Sequence, residues 1–166
     1  MQLLYIIVQV LLILPLQGKN PSTTTKSLQL KTLLNCTYYV DDFWETVTLH
    51  GGQFKRREGG FDCTLTLTGQ SWGDLDRDGQ IDALVILASG GCGGNSTEYY
   101  LIPVLNRDGK PKVLKPVDLG YGIIIKSLNV KTGIVIGAFE SSDINFNTIH
   151  YTKKFKLVSD HLESIE

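Results

Sequence analysis

Cys63 to Ala88 reads CTLTLTGQSWGDLDRDGQIDALVILA, and three patterns follow one another within it. Cys63 to Thr68 alternates with period two, as a half-buried strand does, with Leu65 and Leu67 on the inward side. Asp74 to Asp82 then places carboxylates at alternate positions around Gly79. Ala83 to Ala88 is an unbroken apolar run, the signature of a central strand covered on both faces. Strand, acidic turn and buried strand in succession predict a β-hairpin closed by a charged loop.

Outward from this unit the same grammar continues. Thr46 to Leu49 alternates, His50-Gly51-Gly52 punctuates it, and a short run follows around Phe54. Downstream, Glu98 to Leu105 is aromatic and β-branched, and Asn106 to Gly109 supplies turn chemistry. Val113 to Val117, Ile123 to Val130, Ile134 to Phe139 and Ile149 to Val158 read as further strands, with Lys131-Thr132-Gly133 as a tight hairpin turn. Ser27 is placed to cap a short helix running through Leu34. The expected fold is mainly β, an antiparallel sheet curled into a sandwich or partly open barrel with a short N-terminal helix.

The chain has 166 residues, a length suited to one domain, and its 42% hydrophobic content is ordinary for a globular protein. Sixteen Lys and Arg against seventeen Asp and Glu leave a net charge of −1, which offers no basic excess for a nucleic-acid backbone. Residues 3–16 are apolar apart from Gln9. Fourteen helical residues rise about 21 Å, short of the roughly 30 Å hydrocarbon core. Residues 1–18 are therefore expected to be a signal peptide, with a short membrane anchor as the alternative. Residues 19–27 read as a polar tether and 28–166 as a single β-rich domain. Both readings of the N-terminus place the domain outside the cytoplasm, periplasmic or secreted, with membrane contact expected only where the apolar segment is retained.

The acidic loop has the spacing by which a loop wraps a hard cation. Asp74, Asp76, Asp78 and Asp82 occupy positions one, three, five and nine, Gly79 sits at six, and the Gln80 carbonyl at seven supplies a further oxygen. Position twelve is Val85, where a helix–loop–helix Ca²⁺ sensor carries a bidentate Glu, and the flanks read as strands. A structural Ca²⁺ site joining two strands is expected, with affinity in the weak extracellular range of roughly 10⁻⁴ to 10⁻³ M. Gly73 to Ile86 resembles the Ca²⁺ loop of FG-GAP (integrin-type) repeats, in which an Asp-rich loop leads into an apolar strand. The resemblance implies Asp74, Asp76, Asp78, Gln80 (carbonyl) and Asp82 as ligands. A single copy is present, so the propeller of those proteins does not carry over. Gly73 to Tyr100 is also similar to small exported bacterial proteins of the LppP/LprE lipoprotein type, which implies location more than activity.

A disulfide between Cys63 and Cys92 follows from register. With Asp74 opposite Ile81 in one hairpin, Cys63 falls opposite Cys92, within disulfide reach, and Cys36 is left over. Gly69 and Gly73 are the positions at which a bulge would shift that register, in which case Cys36 replaces either partner. Ser89 to Gly94 lacks the residues of a phosphate loop or a nucleophile elbow and reads as a glycine-rich bend. His50, His150 and His161 are scattered, Asp41, Asp42 and Glu45 read as solvated acids, and Trp44, Trp72, Tyr99 and Tyr100 as core or rim aromatics. Asn35-Cys36-Thr37 and Asn95-Ser96-Thr97 match the glycosylation acceptor pattern. The expected function is an exported, calcium-stabilised, non-enzymatic binding or envelope-associated module for a protein or glycan ligand. The alternative is a secreted hydrolase or hydrolase inhibitor acting through the Gly-rich 90–96 turn.

Overall fold

The computed structural model describes residues 26–40 and 45–165. The expected signal segment, most of the tether, and Asp41, Asp42 and Trp44 lie outside the described residues. One helical turn, α1 (Leu30–Leu33), precedes twelve strands. These are β1 (Thr37–Val40), β2 (Glu45–Thr48), β3 (Gln53–Glu58), β4 (Phe61–Gly73), β5 (Asp82–Gly91) and β6 (Glu98–Arg107), then β7 (Lys110–Val113), β8 (Val117–Tyr121), β9 (Ile124–Lys131), β10 (Ile134–Ser142), β11 (Thr148–Val158) and β12 (His161–Ser164). All pairings are antiparallel. Among the described residues the main sheet runs β3-β4-β5-β6-β7 with β8 also on β6, a second sheet runs β12-β11-β10-β9, and β1 pairs only β2. The sheets are open and stacked, a sandwich-like arrangement rather than a closed barrel.

β5 shows why the stacking has two interfaces. Ala83, Val85 and Leu87 face one core, shared with Leu33, Tyr38, Val40, Val47 and Leu49 of the N-terminal layer. Leu84 faces the other, shared with Val135, Phe139 and Phe155 of the second sheet. Successive side chains on a strand point to opposite faces, so an apolar residue at every position requires apolar cover on both. β6 repeats this, with Tyr100, Ile102 and Val104 toward the N-terminal layer and Leu101 and Leu105 toward the second sheet.

Two local expectations are corrected. Ser27 does not cap the helix: Gln29, in extended conformation, occupies the N-cap without a side-chain hydrogen bond, and the helix stops after a single turn at Leu33. Four helical residues are too few to nucleate alone, and Leu33 is held by burial in the core. Val113 to Val117 is not one strand. Its ends belong to β7 and β8; Leu114 lies between them, its N–H still donating to the Pro103 carbonyl of β6 at 3.0 Å and its side chain in the second core.

The β4–β5 hairpin keeps the expected register from Gly73↔Asp82 to Gly69↔Ile86. A bulge between Leu67 and Gly69 then moves it by one, so Cys63 pairs with Gly91 rather than Cys92. The Cys63–Cys92 disulfide forms nevertheless, with the two Cα atoms 4.5 Å apart. It closes because the chain turns at Gly91, where φ is +87° and a Cβ would collide with the Asp62 carbonyl oxygen, bringing Cys92 back over the end of β4. Cys36 is free and half-buried.

Candidate metal centre

The loop joining β4 to β5 folds around its own carboxylates. Asp74 Oδ1 accepts the Asp78 N–H at 3.1 Å and its Oδ2 accepts the Gly79 N–H at 3.0 Å. Asp78 Oδ1 accepts the Gln80 N–H at 2.8 Å. Gly79, at φ +85°, makes the reversal that turns these amides inward. One carboxylate oxygen from each of Asp74, Asp76 and Asp78 lies within 4.8 Å of the others. Three hard anionic donors converging in this way match the chemistry of Ca²⁺ better than that of softer metals.

The remaining expected ligands are Asp82 and the main-chain carbonyl of Gln80. Asp82 is fully buried, and its carboxylate accepts the Leu75 N–H through Oδ2 and the Asn106 N–H through Oδ1, each at 2.8 Å. It therefore belongs to the wall of the loop: it ties the first turn of the acidic segment to β6. Burial pushes its carboxyl above the ordinary value, opposed by the two N–H groups and reinforced by the negative charge of Asp76 and Asp78. The Gln80 side chain donates to Asp78 Oδ2 at 3.1 Å and accepts the Asp108 N–H at 3.4 Å, so it braces the loop against the β6–β7 turn.

Arg107, at the end of β6, is the residue that the sequence reading missed. Its two terminal nitrogens reach Asp76 Oδ2 at 2.6 Å and Asp78 Oδ2 at 2.9 Å. The guanidinium supplies internally the positive charge that this carboxylate cluster demands, and the hydrogen bond to Asp76 raises its own pKa further. No local sequence signal marks it, because the contact depends on the β5–β6 register. Continuing the Ala83↔Val104 register three residues outward puts Gln80 opposite Arg107. Arg77 faces the other way and donates from Nε to the Thr132 carbonyl at 3.1 Å, tying the loop to the β9–β10 turn.

Elsewhere the expected residues are dispersed. Cys92 of the glycine-rich turn carries no free thiol because it is bonded to Cys63. A cavity of about 230 Å³ beside that turn is lined by Ser89, Cys92, Ser96 and Tyr121. His150 lies 3.1 Å from Glu140, and His161 sits between Asp160 at 3.3 Å and Glu163 at 3.1 Å. Trp72 is partly exposed, Tyr99 packs against the second core, and Tyr100 is buried with its hydroxyl donating to Glu98 at 2.6 Å. Among the described residues no helix is long and apolar enough to cross a membrane. No family model, no curated protein and no solved structure matches this chain.

Proposed function

We propose that the chain is an exported β-domain stabilised by Ca²⁺ in the Asp74–Asp82 loop, acting as a non-enzymatic binding or envelope-associated module. The observation that carries this reading is the convergence of Asp74, Asp76 and Asp78 on one point, on a loop braced to both sheets. The disulfide supports an oxidising, extracytoplasmic setting, where such bonds persist. Ca²⁺ would draw its oxygens from Asp74, Asp76 and Asp78, with the Gln80 carbonyl as a further donor, and neutralise charge that Arg107 balances in part. Since Arg107 holds two of those carboxylates, ion and guanidinium compete for them, which keeps affinity low.

Thermal melts with Ca²⁺ and with chelator test the reading. An ion that binds only the folded loop stabilises by about 2.7 kcal/mol at a hundredfold excess over Kd. The Ca²⁺-dependent shift should vanish in Asp74→Ala and appear at lower Ca²⁺ in Arg107→Gln. Melts of both the native protein and Arg107→Gln that do not respond to millimolar Ca²⁺ would reject the site.

A further inference from the structure

The end of the second sheet remote from the acidic loop carries an unusual tip. The β10–β11 connection presents Ile144 at 95% exposure and Phe146 at 90%, as bare as large apolar side chains become in a folded chain. The loop that carries them is firmly built. Asp143 Oδ1 accepts the N–H groups of Asn145 and Asn147, both at 2.8 Å, and its Oδ2 accepts the Asn147 side-chain amide at 3.0 Å.

Behind the tip, the outer face of the sheet is both apolar and basic. Val135 and Phe139 point into the core, so Ile134 and Ile136 of β10 point away from it. Their cross-strand partners share that face: Ile134 pairs with Lys156 and Lys131, and Ile136 with Lys154. Exposed Ile124 lies opposite Glu140 on the same face. The acids there are Glu140, which pairs with Lys126 and His150, and Glu163, which lies opposite Lys156. Of the three lysines of β11, Lys154 and Lys156 lie on this face, while Lys153 alternates to the core side with Tyr151 and Phe155, its ammonium over the Tyr151 ring.

We infer that this outer face and the Ile144–Phe146 tip dock on an anionic lipid bilayer. The charge sign selects an anionic surface, and the shape selects lipid. Protruding apolar side chains on a convex loop need no ready-made pocket in an acyl phase, whereas a protein partner must supply one. An aromatic and an aliphatic residue at the tip, with Lys154 and Lys156 further along the same sheet face, match the composition of interfacial membrane anchors. The contact goes beyond the calcium reading and stands whether or not the loop takes an ion. It is also separate from any attachment through residues 3–16.

The test places the reporter at the tip of the full chain. Phe146→Trp is titrated with vesicles of phosphatidylcholine plus phosphatidylglycerol whose acyl chains are brominated, and the emission of the unsubstituted chain, with Trp44 and Trp72, is subtracted. The expected result is a blue-shifted, quenched signal that is absent with phosphatidylcholine alone. Quenching reads insertion of this loop, not attachment elsewhere. In that background Lys154→Glu with Lys156→Glu should weaken vesicle binding by at least about 25-fold, since each lysine near an anionic surface is worth about fivefold. Both changes lie at exposed positions, and an unchanged melting temperature checks the fold. No quenching with anionic vesicles, or equal quenching with neutral ones, overturns the proposal. Capture of an acidic protein at residue 146 with no vesicle response would overturn it in favour of a protein partner.

Discussion

Asp82 uses both carboxylate oxygens on main-chain N–H groups of two different segments, Leu75 and Asn106, in a place water does not reach. Removing the carboxylate strands two buried donors, and hydrogen bonds to charged groups are worth about 1.5–3 kcal/mol each. Asp82→Ala is therefore expected to destabilise by about 3 kcal/mol in urea unfolding, well beyond exposed Asp78→Ala. Equal losses for the two would show that Asp82 is only one more acid of the loop. Asp160 gives a residue-scale effect with a definite pH sign. Its carboxylate lies 3.0 Å from Lys115 Nζ and 3.3 Å from His161 Nδ1, and these partners hold its pKa below the ordinary value of 3.8. The native state thus binds that proton less readily than the unfolded one. The stabilisation is present above the ordinary carboxylate pKa and lost as pH falls through the lowered one. Asp160→Asn should be less stable than the native protein at neutral pH and indistinguishable from it in strong acid; a constant offset would assign the effect to packing instead. At this scale the sequence was readable wherever the chemistry is local. Asp74, Asp76 and Asp78 lie within five residues, so spacing alone brings them together. Arg107 and the main-chain partner of Asp82 at Asn106 come from across a strand pair, and a residue-by-residue reading has no view of them.

At the level of elements, the β4–β5 hairpin shows what periodicity transmits and what it loses. The alternation of Cys63 to Leu67 and the apolar run of β5 were both legible, because burial on one face or two leaves a mark in every residue. The bulge between Leu67 and Gly69 was not, since one extra residue changes pairing without changing composition. It also inverts the strand: Leu65 lies in the N-terminal core, while Gly73 beyond the bulge lies so close to the second sheet that a Cβ there would meet Val130. β12 and the pairing of β1 with β2 alone were equally hidden, four-residue strands being too short for a period to declare itself. The disulfide pins the far end of this bulged hairpin. Its cysteines are 29 residues apart, and closing a loop of that size stabilises by about 3.5 kcal/mol in the chain-entropy model. Replacing both Cys63 and Cys92 by Ser should lower the urea midpoint accordingly and steepen the slope, because the unlinked chain exposes more surface on unfolding. A loss below about 1 kcal/mol would mean that the bulge alone holds the hairpin end.

For the whole molecule, the decisive feature is that one sheet serves two cores. Leu84 and Val85 are neighbours on β5 yet sit in different clusters, each fully buried. The N-terminal layer contributes Leu49 to the first core, and the second sheet contributes Phe155 to the other. Among the described residues each outer layer packs its apolar side on this one sheet, and loss of either would expose one whole face of β5 and β6. The two cores should therefore melt together. Leu49→Ala, expected to cost about 2–5 kcal/mol, and Phe155→Ala, about 3–5 kcal/mol, act on opposite sides of the sheet. Each should shift a single calorimetric transition whose measured enthalpy equals the van't Hoff value, and their effects should add, because the two side chains lie in different core clusters on opposite faces of the sheet. Independent layers would behave otherwise: Phe155→Ala would split the melt, leaving the transition of the N-terminal layer in place. Hydrogen exchange separates the cases at residue resolution. With one shared sheet, the amides of β5 and β6 exchange only through global unfolding, and either substitution accelerates all of them by the same factor.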